Sequence, residues 1–353
     1  MLGSDGIPAI GCAVATQDGG TMHPTAELHV HIEGTLEVEL LVRLAQRNGL
    51  SLPSYDAETL RQRYRFGRLQ DFLDVYIQNT AVLQTEQDFY DLAAAYLARA
   101  RAGGVRRAEI FFDPPTHLAR GIQMETIFGG LTAALDESRA EGMSADLILC
   151  FQRDLGADAA MEMLEASLPF RDQFIGVGLD SSEVGYPPSL FTRVYARAAA
   201  EGLRRVAHAG EEGGPEYVWE AIDLLGVERV DHGNRALEDA DLVRRLRDDQ
   251  IPLTVCPLSN LALRTAPPEL RDHPLPVMIE EGLNVSIHSD DPAYFGGYID
   301  DAFAAVTREL GLSAAQTATL ARNALTSSFA AADEIAGWVA ELDARAAAPG
   351  GVR

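Results

Sequence analysis

Short apolar runs alternate with longer amphipathic segments along most of the chain after residue 26. Eight of the runs have the length and the flanking turn residues that are typical of buried strands. They cover residues 27–31, 107–112, 147–151, 175–179, 205–208, 229–232, 252–256 and 284–288. Between them, apolar residues recur at the three- and four-residue spacing of a helix face. These helical segments cover residues 36–46, 69–83, 86–101, 124–139, 157–168, 189–201, 217–225 and 239–247.

Eight strands that alternate with helices over roughly 250 residues predict an α/β fold, a (β/α)8 TIM barrel. Residues 36–104 separate the first two strands and hold several helical patterns. We therefore expect a helical insertion over the barrel mouth after strand 1. Beyond Tyr298 the pattern is wholly helical and rich in alanine, which predicts a C-terminal helical cap.

No internal repeat or low-complexity linker divides the chain, so we expect residues 25–345 to form a single domain. Residues 1–24 are rich in glycine, alanine, serine and threonine, which indicates a loosely ordered N-terminal extension. This extension has neither the basic start of a secretion signal nor the long apolar run of a membrane span. Met22 is an alternative to Met1 as the translation start.

The charge balance limits the classes of partner. The formal net charge is −24, so the field of the protein repels nucleic-acid phosphates and anionic lipids. We therefore expect a small-molecule substrate and no nucleic-acid or membrane partner, while a homo-oligomer stays open. All 29 basic residues are arginine, which excludes a Schiff-base lysine, a phosphate-loop lysine and a lysine that bridges two metal ions. The three cysteines lie far apart without a CxxC motif, as in a reduced cytoplasmic protein.

Histidines and carboxylates cluster where the predicted strands end. The first strand ends in His29-Val30-His31, and residues two apart on a strand point the same way, so both imidazoles should face the barrel interior. Two buried imidazoles suit a metal site better than a core, since each ring needs a hydrogen-bond partner. If this motif is considered alone, the alternative to a metal site is that the two histidines occur two residues apart by chance.

The fifth strand ends at His208, and Asp290 follows the eighth. Because active sites of such barrels lie at the carboxyl ends of the strands, we expect both to meet His29 and His31 there. Three imidazoles and one carboxylate leave a position open for water, as a catalytic zinc site requires. We predict one Zn²⁺ per chain in this shell, with iron or cobalt as alternatives.

Further polar side chains follow the same strand ends. Glu211, three residues past His208, is placed to shuttle protons, and an exposed loop carboxylate is the alternative. His232 ends the sixth strand, where it could orient the attacking water or help to take its proton. Asp291 precedes a proline, so a helix N-cap is the alternative to a role in the site.

Seven motifs carry a resemblance to a known family. In chain order they are ELHVHIEGT (27–35), AEIFFDP (108–114), GLDSSEVG (178–185), HAGE (208–211), DHG (231–233), CPLSN (256–260) and SDDP (289–292). The run from residue 26 to about 297 resembles the adenosine/adenine deaminase family, most closely its adenine deaminase branch. Taken in order, the motifs are highly specific.

The resemblance implies a barrel with one zinc ion on the four residues named above. It implies that Glu211 donates a proton to the purine ring, that His232 orients the attacking water and that Asp291 binds the purine. It also implies substrate contacts from Gly178 and Glu183. The implied reaction is the hydrolytic deamination of adenine to hypoxanthine and ammonia in purine salvage.

Glu33 bears on the choice of purine. Nucleoside-specific members of the family carry aspartate at this position, whereas the adenine branch carries glutamate. We expect the longer Glu33 side chain to occupy space that a sugar needs. The alternative is that Glu33 caps the helix that begins near Leu36 and pairs with an arginine.

Four residues depart from the adenine deaminase pattern and could line the pocket, namely Tyr186, Asn234, Ala236 and His288. They leave adenosine or an N6-substituted adenine as alternative substrates. A barrel that binds purine without catalysis is an alternative of another class. A cytidine-deaminase type of zinc site is excluded, since it needs a CxxC motif. Three further histidines are expected to be structural or exposed, namely His23, His117 and His273.

Overall fold

The computed structural model of the chain describes residues 23–66 and 68–347, so almost all of the predicted N-terminal extension lies outside the described residues. The described part of the chain forms eight strands that pair in parallel and in chain order. The strands are β1 (Thr25–His31), β2 (Val105–Phe112), β3 (Ser144–Gln152), β4 (Gly176–Asp180), β5 (Arg204–Ala209), β6 (Arg229–His232), β7 (Leu253–Val255) and β8 (Val285–Ile287). All eight predicted strands are present, which confirms the barrel prediction.

The barrel closes through a short parallel bridge between Val30 of β1 and Asp290, three residues past the end of β8. The backbone N–H of His31 donates to the Asp290 carbonyl at 3.0 Å, and the Asp290 N–H donates to the His29 carbonyl at 3.0 Å. Barrel closure therefore brings the Asp290 side chain beside both histidines of β1.

Sixteen α-helices occur in the described residues. They are α1 (Val38–Arg47), α2 (Ala57–Arg61), α3 (Leu69–Thr80), α4 (Glu86–Ala102), α5 (Pro114–Leu118), α6 (Met124–Ala140), α7 (Ala157–Ser167), α8 (Thr192–Ala200), α9 (Pro215–Glu220), α10 (Ala240–Asp248), α11 (Pro257–Ala262), α12 (Leu275–Glu280), α13 (Pro292–Phe295), α14 (Ile299–Leu310), α15 (Ala314–Thr326) and α16 (Ala332–Ala347). Four of them, α1–α4, lie between β1 and β2, and α14–α16 end the described chain. None of these helices has the length and apolar character of a membrane span.

Alternation along the strands separates two apolar regions. In β2, Ile110 and Phe112 pack with the helices in the main core, whereas Phe111 between them joins Ile148 and Val206 in a small second cluster. Since neighbouring residues of a strand point to opposite faces, the small cluster lies inside the barrel and the main core lies around it. The barrel interior is therefore only partly apolar.

A buried ion cluster occupies another part of the barrel interior. The carboxylate of Glu109 accepts hydrogen bonds from Arg229 at 2.7 Å, from Arg107 at 3.2 Å and from the Phe329 N–H at 2.5 Å. Burial alone would raise the pKa of Glu109, but the charges of Arg229 and Arg107 outweigh it and lower the pKa. Arg229 also donates to the Leu28 carbonyl at 3.2 Å, which ties β6 to β1 across the interior.

Removal of the Glu109 carboxylate should destabilise the barrel. Glu109→Ala leaves two buried guanidinium groups without their common partner, and we expect it to lower the free energy of unfolding by about 3–5 kcal/mol. Urea unfolding at equal metal content measures this. The matched control is Glu269→Ala, which removes the exposed ion pair with Arg271 and should cause no measurable change. Equal stability of the two variants would contradict the expectation.

Candidate metal centre and active site

A small cavity of about 110 Å³ lies at the carboxyl ends of the strands. Six of the predicted site residues line it, namely His31, His208, Glu211, His232, Asp290 and Asp291. Helix α3 covers this end of the barrel with Leu69, Phe72 and Tyr76. A larger cavity of about 330 Å³ lies beside α5 and α7, and none of its described lining residues is a histidine. The chemistry therefore lies at the smaller cavity.

The four predicted metal ligands converge. Their ligand atoms lie within 4.8 Å of one another in His29, His31, His208 and Asp290. Nε2 of His31 is 3.2 Å from Nε2 of His208, and Oδ1 of Asp290 is 3.4 Å from Nε2 of His29 and 3.6 Å from Nε2 of His31. Ligand atoms about 2.0–2.1 Å from a tetrahedral zinc ion are themselves about 3.3 Å apart. The spacing therefore fits one metal ion.

The polar groups behind the rings indicate which nitrogen of each ring faces the cluster. The Thr254 hydroxyl donates to Asp231 at 2.8 Å, so its oxygen must accept the proton of Nδ1 of His29 at 2.9 Å. Nδ1 of His208 faces Asp231 at 3.7 Å, and Nδ1 of His31 faces Asp180 at 3.6 Å. Ring N–H groups that point outward in this way leave the Nε2 lone pairs directed into the cluster, as metal-ligating histidines require.

Without a cation these lone pairs would oppose one another. Nε2 of His29 is buried and has no hydrogen-bond partner among the described residues. Burial lowers the pKa of His31 to about 4 and that of His208 well below its usual value, so both rings are neutral at neutral pH. Neutral imidazoles and a carboxylate are the donors of a divalent metal ion. The donor set therefore fits a metal ion.

A second arrangement of ligand atoms overlaps the first, since His29, His232, Cys256 and Asp290 also lie within 4.8 Å of one another. The Cys256 thiol donates to the Thr254 carbonyl at 3.7 Å, and burial raises its pKa well above the usual value. A metal ion would have to displace the proton of this thiol and its contact with the carbonyl, so the three-histidine cluster is the better site.

An acid and a strained histidine lie beside the cluster. Oε2 of Glu211 is 3.5 Å from Nε2 of His232, and burial raises the Glu211 pKa well above its usual value, which favours the protonated form of the carboxyl group. The backbone φ angles of His232 and Asp290 are 66° and 64°, values that residues other than glycine rarely adopt. Such strain is typical of functional sites that the surrounding structure holds in place.

Asp291 reaches the cavity because Gly34 has no side chain. A Cβ atom on Gly34 would lie 1.9 Å from Oδ1 of Asp291. This oxygen is buried and has no hydrogen-bond partner in the described part of the chain. It is therefore placed to accept a hydrogen bond from a ligand.

Glu33 does not occupy the predicted place. It begins a short 3-10 helix, Glu33–Thr35, and does not line the cavity. Its Oε1 accepts the Asp113 N–H at 3.2 Å and lies 2.8 Å from Nε2 of His117. Arg120 donates to Nδ1 of His117 at 2.8 Å, so the proton of His117 lies on Nε2 and points to Glu33. Glu33 thus pairs with His117 rather than directly with an arginine, and its effect on the choice of purine stays a prediction.

Neither Gly178 nor Glu183 lines the cavity, so the substrate contacts implied for them stay a prediction. Gly178 lies inside β4, where an added Cβ atom would be 2.8 Å from Sγ of Cys150, so glycine is required for packing. Asp180 and Ser181 line the cavity instead. The Glu183 carboxylate accepts backbone N–H groups of residues 210–213.

Comparison with known proteins places this geometry in a family. The family model described as adenosine deaminase matches residues 24–345. The chain belongs to the adenosine deaminase family. It is similar to adenine deaminases of Streptomyces coelicolor (58% identity over 324 residues, covering 91% of this chain and 95% of the relative) and Rhodospirillum rubrum (56% over 326 residues, 92% and 96%).

Solved structures support the membership of this chain in the adenosine deaminase family. The crystal structure of an adenine deaminase from Arthrobacter aurescens has a TM-score of 0.91 and 54% identity, and the match covers 92% of this chain and 100% of that chain. An amidohydrolase from Burkholderia ambifaria with bound Zn has a TM-score of 0.83 and 28% identity, with 91% of each chain covered.

The four departures from the adenine branch of this family do not line the cavity, namely Tyr186, Asn234, Ala236 and His288. His288 lies behind β1, where its Nδ1 accepts the Leu28 N–H at 3.0 Å and its Nε2 lies 2.8 Å from the Ser286 hydroxyl. His273 is one of the three histidines that were expected to be structural or exposed. Its Nε2 lies 3.3 Å from Oδ1 of Asn260, and it does not line the cavity.

Asp113 and Asp180 line the cavity, but the sequence analysis did not select them. Asp113 directly follows β2 and lies 3.9 Å from Nδ1 of His31, whereas Asp180 ends β4 and lies 3.6 Å from the same nitrogen. Burial raises the pKa of Asp180 to about 7, and the Tyr76 hydroxyl donates to Asp113 at 3.4 Å. Their position at strand ends, the signal that found Asp290, could have identified them.

The two four-residue ligand sets make opposite predictions for His208 and His232. We expect about one divalent ion per chain in the purified protein. The ion should be lost in His208→Ala and retained in His232→Ala, because His208 belongs to the three-histidine cluster and His232 does not. Elemental analysis of the dialysed proteins measures this. Loss of the ion from His232→Ala with retention in His208→Ala would favour the set with Cys256, and an active protein without metal would contradict both.

Proposed function

We propose that this chain is a zinc-dependent adenine deaminase that converts adenine and water into hypoxanthine and ammonia in cytoplasmic purine salvage. The observation that carries the proposal is the buried carboxyl group of Glu211, whose pKa burial raises, beside a cluster of three imidazoles and a carboxylate. The names of the relatives at 58% and 56% identity support adenine as the substrate.

His29, His31, His208 and Asp290 would hold the zinc ion. When bound, zinc supplies a water molecule that is activated for attack at neutral pH. A relative of this fold with bound Zn supports this choice of metal. A single ion is sufficient for the proposal, since hydrolysis at one carbon needs one activated water.

The other residues handle protons and orientation. Glu211 donates its proton to ring N1, which makes C6 more electrophilic. His232, which burial keeps neutral by lowering its pKa to about 3, orients the attacking water. The C6–O bond forms and the C6–N bond breaks. Of the two protons of the water, one leaves with the amino group as ammonia and the other replaces the proton that Glu211 gives to N1.

Asp291 would fix the purine ring. Its unpartnered Oδ1 can accept a hydrogen bond from an N–H group on the five-membered ring of a free purine base. The cavity of about 110 Å³ is small beside the roughly 300 Å³ at which pockets for drug-sized ligands begin, and this favours a free base over a nucleoside. We propose Asp291 as a substrate-binding residue.

Substrate preference tests the proposal. Purified protein should release ammonia from adenine with a kcat/KM at least about 10²-fold above that for adenosine, a difference of about 2.7 kcal/mol in transition-state binding. The panel also includes N6-methyladenine and cytosine. A preference for adenosine, or activity on N6-methyladenine alone, would contradict the substrate, and binding of adenine without ammonia release from any substrate would favour a non-catalytic barrel.

Glu211→Gln tests proton donation. The amide keeps the shape of the side chain but is not an acid, so turnover of adenine should fall about 10²-fold or more while metal content and melting temperature stay unchanged. Glu216→Gln is the control, because Glu216 lies on α9 and does not line the cavity. Wild-type turnover in Glu211→Gln would remove Glu211 from the proposed mechanism.

A further inference from the structure

The Glu183 carboxylate holds the loop that carries Glu211. Oε1 accepts the N–H of Gly210 at 2.6 Å, and Oε2 accepts the N–H groups of Glu211, Glu212 and Gly213 at 3.0, 2.7 and 2.7 Å. Four consecutive N–H groups of one loop thus converge on one carboxylate. Glu183 is 1% exposed, so water does not compete for these bonds.

The backbone of the loop is shaped for this carboxylate. Gly210 has a φ of 77°, a left-handed conformation that turns successive N–H groups towards one side. Such a concave set of N–H groups is an anion-binding nest, and here a side chain of the protein itself fills it. Arg235 holds the other side of the loop through the Glu212 carbonyl at 2.8 Å.

The Glu211 side chain has little to orient it except its backbone. Its Oε1 has no hydrogen-bond partner among residues 23–66 and 68–347, and its Oε2 lies 3.5 Å from His232. The direction of the carboxyl group therefore depends on where the loop places the Glu211 Cα atom. Glu183, which lies on the loop after β4, fixes that position.

We infer that Glu183 is a positioning residue that aims Glu211 at the substrate, although it does not touch the substrate itself. This inference rests on the proposed role of Glu211 as the proton donor. A misplacement of about 1 Å at a reacting group costs up to about 10²-fold in rate, so the loop needs a rigid support.

Glu183→Gln is the first test. Its amide NH2 group would face backbone N–H groups, so the loop should shift, kcat for adenine should fall about 10- to 10²-fold, and KM and metal content should change little. Glu183→Asp keeps the charge and should recover part of the loss. A rise in KM at unchanged kcat would indicate a substrate contact and would overturn the inference. The control is Glu220→Gln, the same substitution at a carboxylate that accepts one backbone N–H group, that of Ser189 at 2.9 Å, outside residues 210–213.

A double-mutant cycle separates positioning from a general loss of structure. If Glu183 acts through Glu211, Glu183→Gln should have almost no further effect on kcat in the Glu211→Gln background. An equal fold-loss in both backgrounds would show that Glu183 acts independently of Glu211 and would overturn the inference.

Hydrogen exchange tests, without reference to activity, whether the Glu183 carboxylate holds residues 210–213 in place. The amides of residues 210–213 should be protected in the wild-type protein and should lose protection selectively in Glu183→Gln. Unchanged protection would overturn the inference even if adenine is the substrate. If Glu183→Gln loses protection but the wild-type protein does not deaminate adenine, the role of Glu183 in holding the loop would stand and the proposed function would be contradicted.

Discussion

The position of one hydroxyl proton determines much of the site. The Thr254 hydroxyl donates to Asp231, so it must accept a proton from Nδ1 of His29, and Nε2 of that ring then presents a lone pair. The same carboxylate faces Nδ1 of His208 at 3.7 Å. Lone pairs that converge in a buried space favour a bound cation. The metal site is therefore built from the residues behind the ligands as much as from the ligands.

Barrel closure and the metal cluster depend on the same few residues. The bridge between Val30 and Asp290 completes the ring of strands, and it brings the Asp290 carboxylate to the histidines on either side of Val30. Below the cluster, Arg229 approaches Asp231 at 3.9 Å and binds Glu109 at 2.7 Å, so opposite charges continue down the interior. Arg107 and Arg229 therefore share one oppositely charged partner, Glu109, inside the barrel.

The sequence was sufficient to predict the parts of this structure that have local signals. The strand ending in His232 has the predicted bounds, and the clustering of the four predicted ligands could be foreseen because each lies at the end of an apolar run. Contacts between distant residues gave no such signal. Glu33 meets His117, 84 positions away, and Glu183 meets a loop 27–30 positions away, so both were assigned other roles.

Extended X-ray absorption fine structure at the edge of the bound metal tests the central claim most directly. We expect three imidazole nitrogens and one or two oxygens at about 2.0–2.2 Å from a single ion. A sulfur scatterer at about 2.3 Å would place Cys256 in the site, and a second metal at about 3.5–4 Å would show a binuclear centre. Either result would contradict the assignment of the metal to His29, His31, His208 and Asp290.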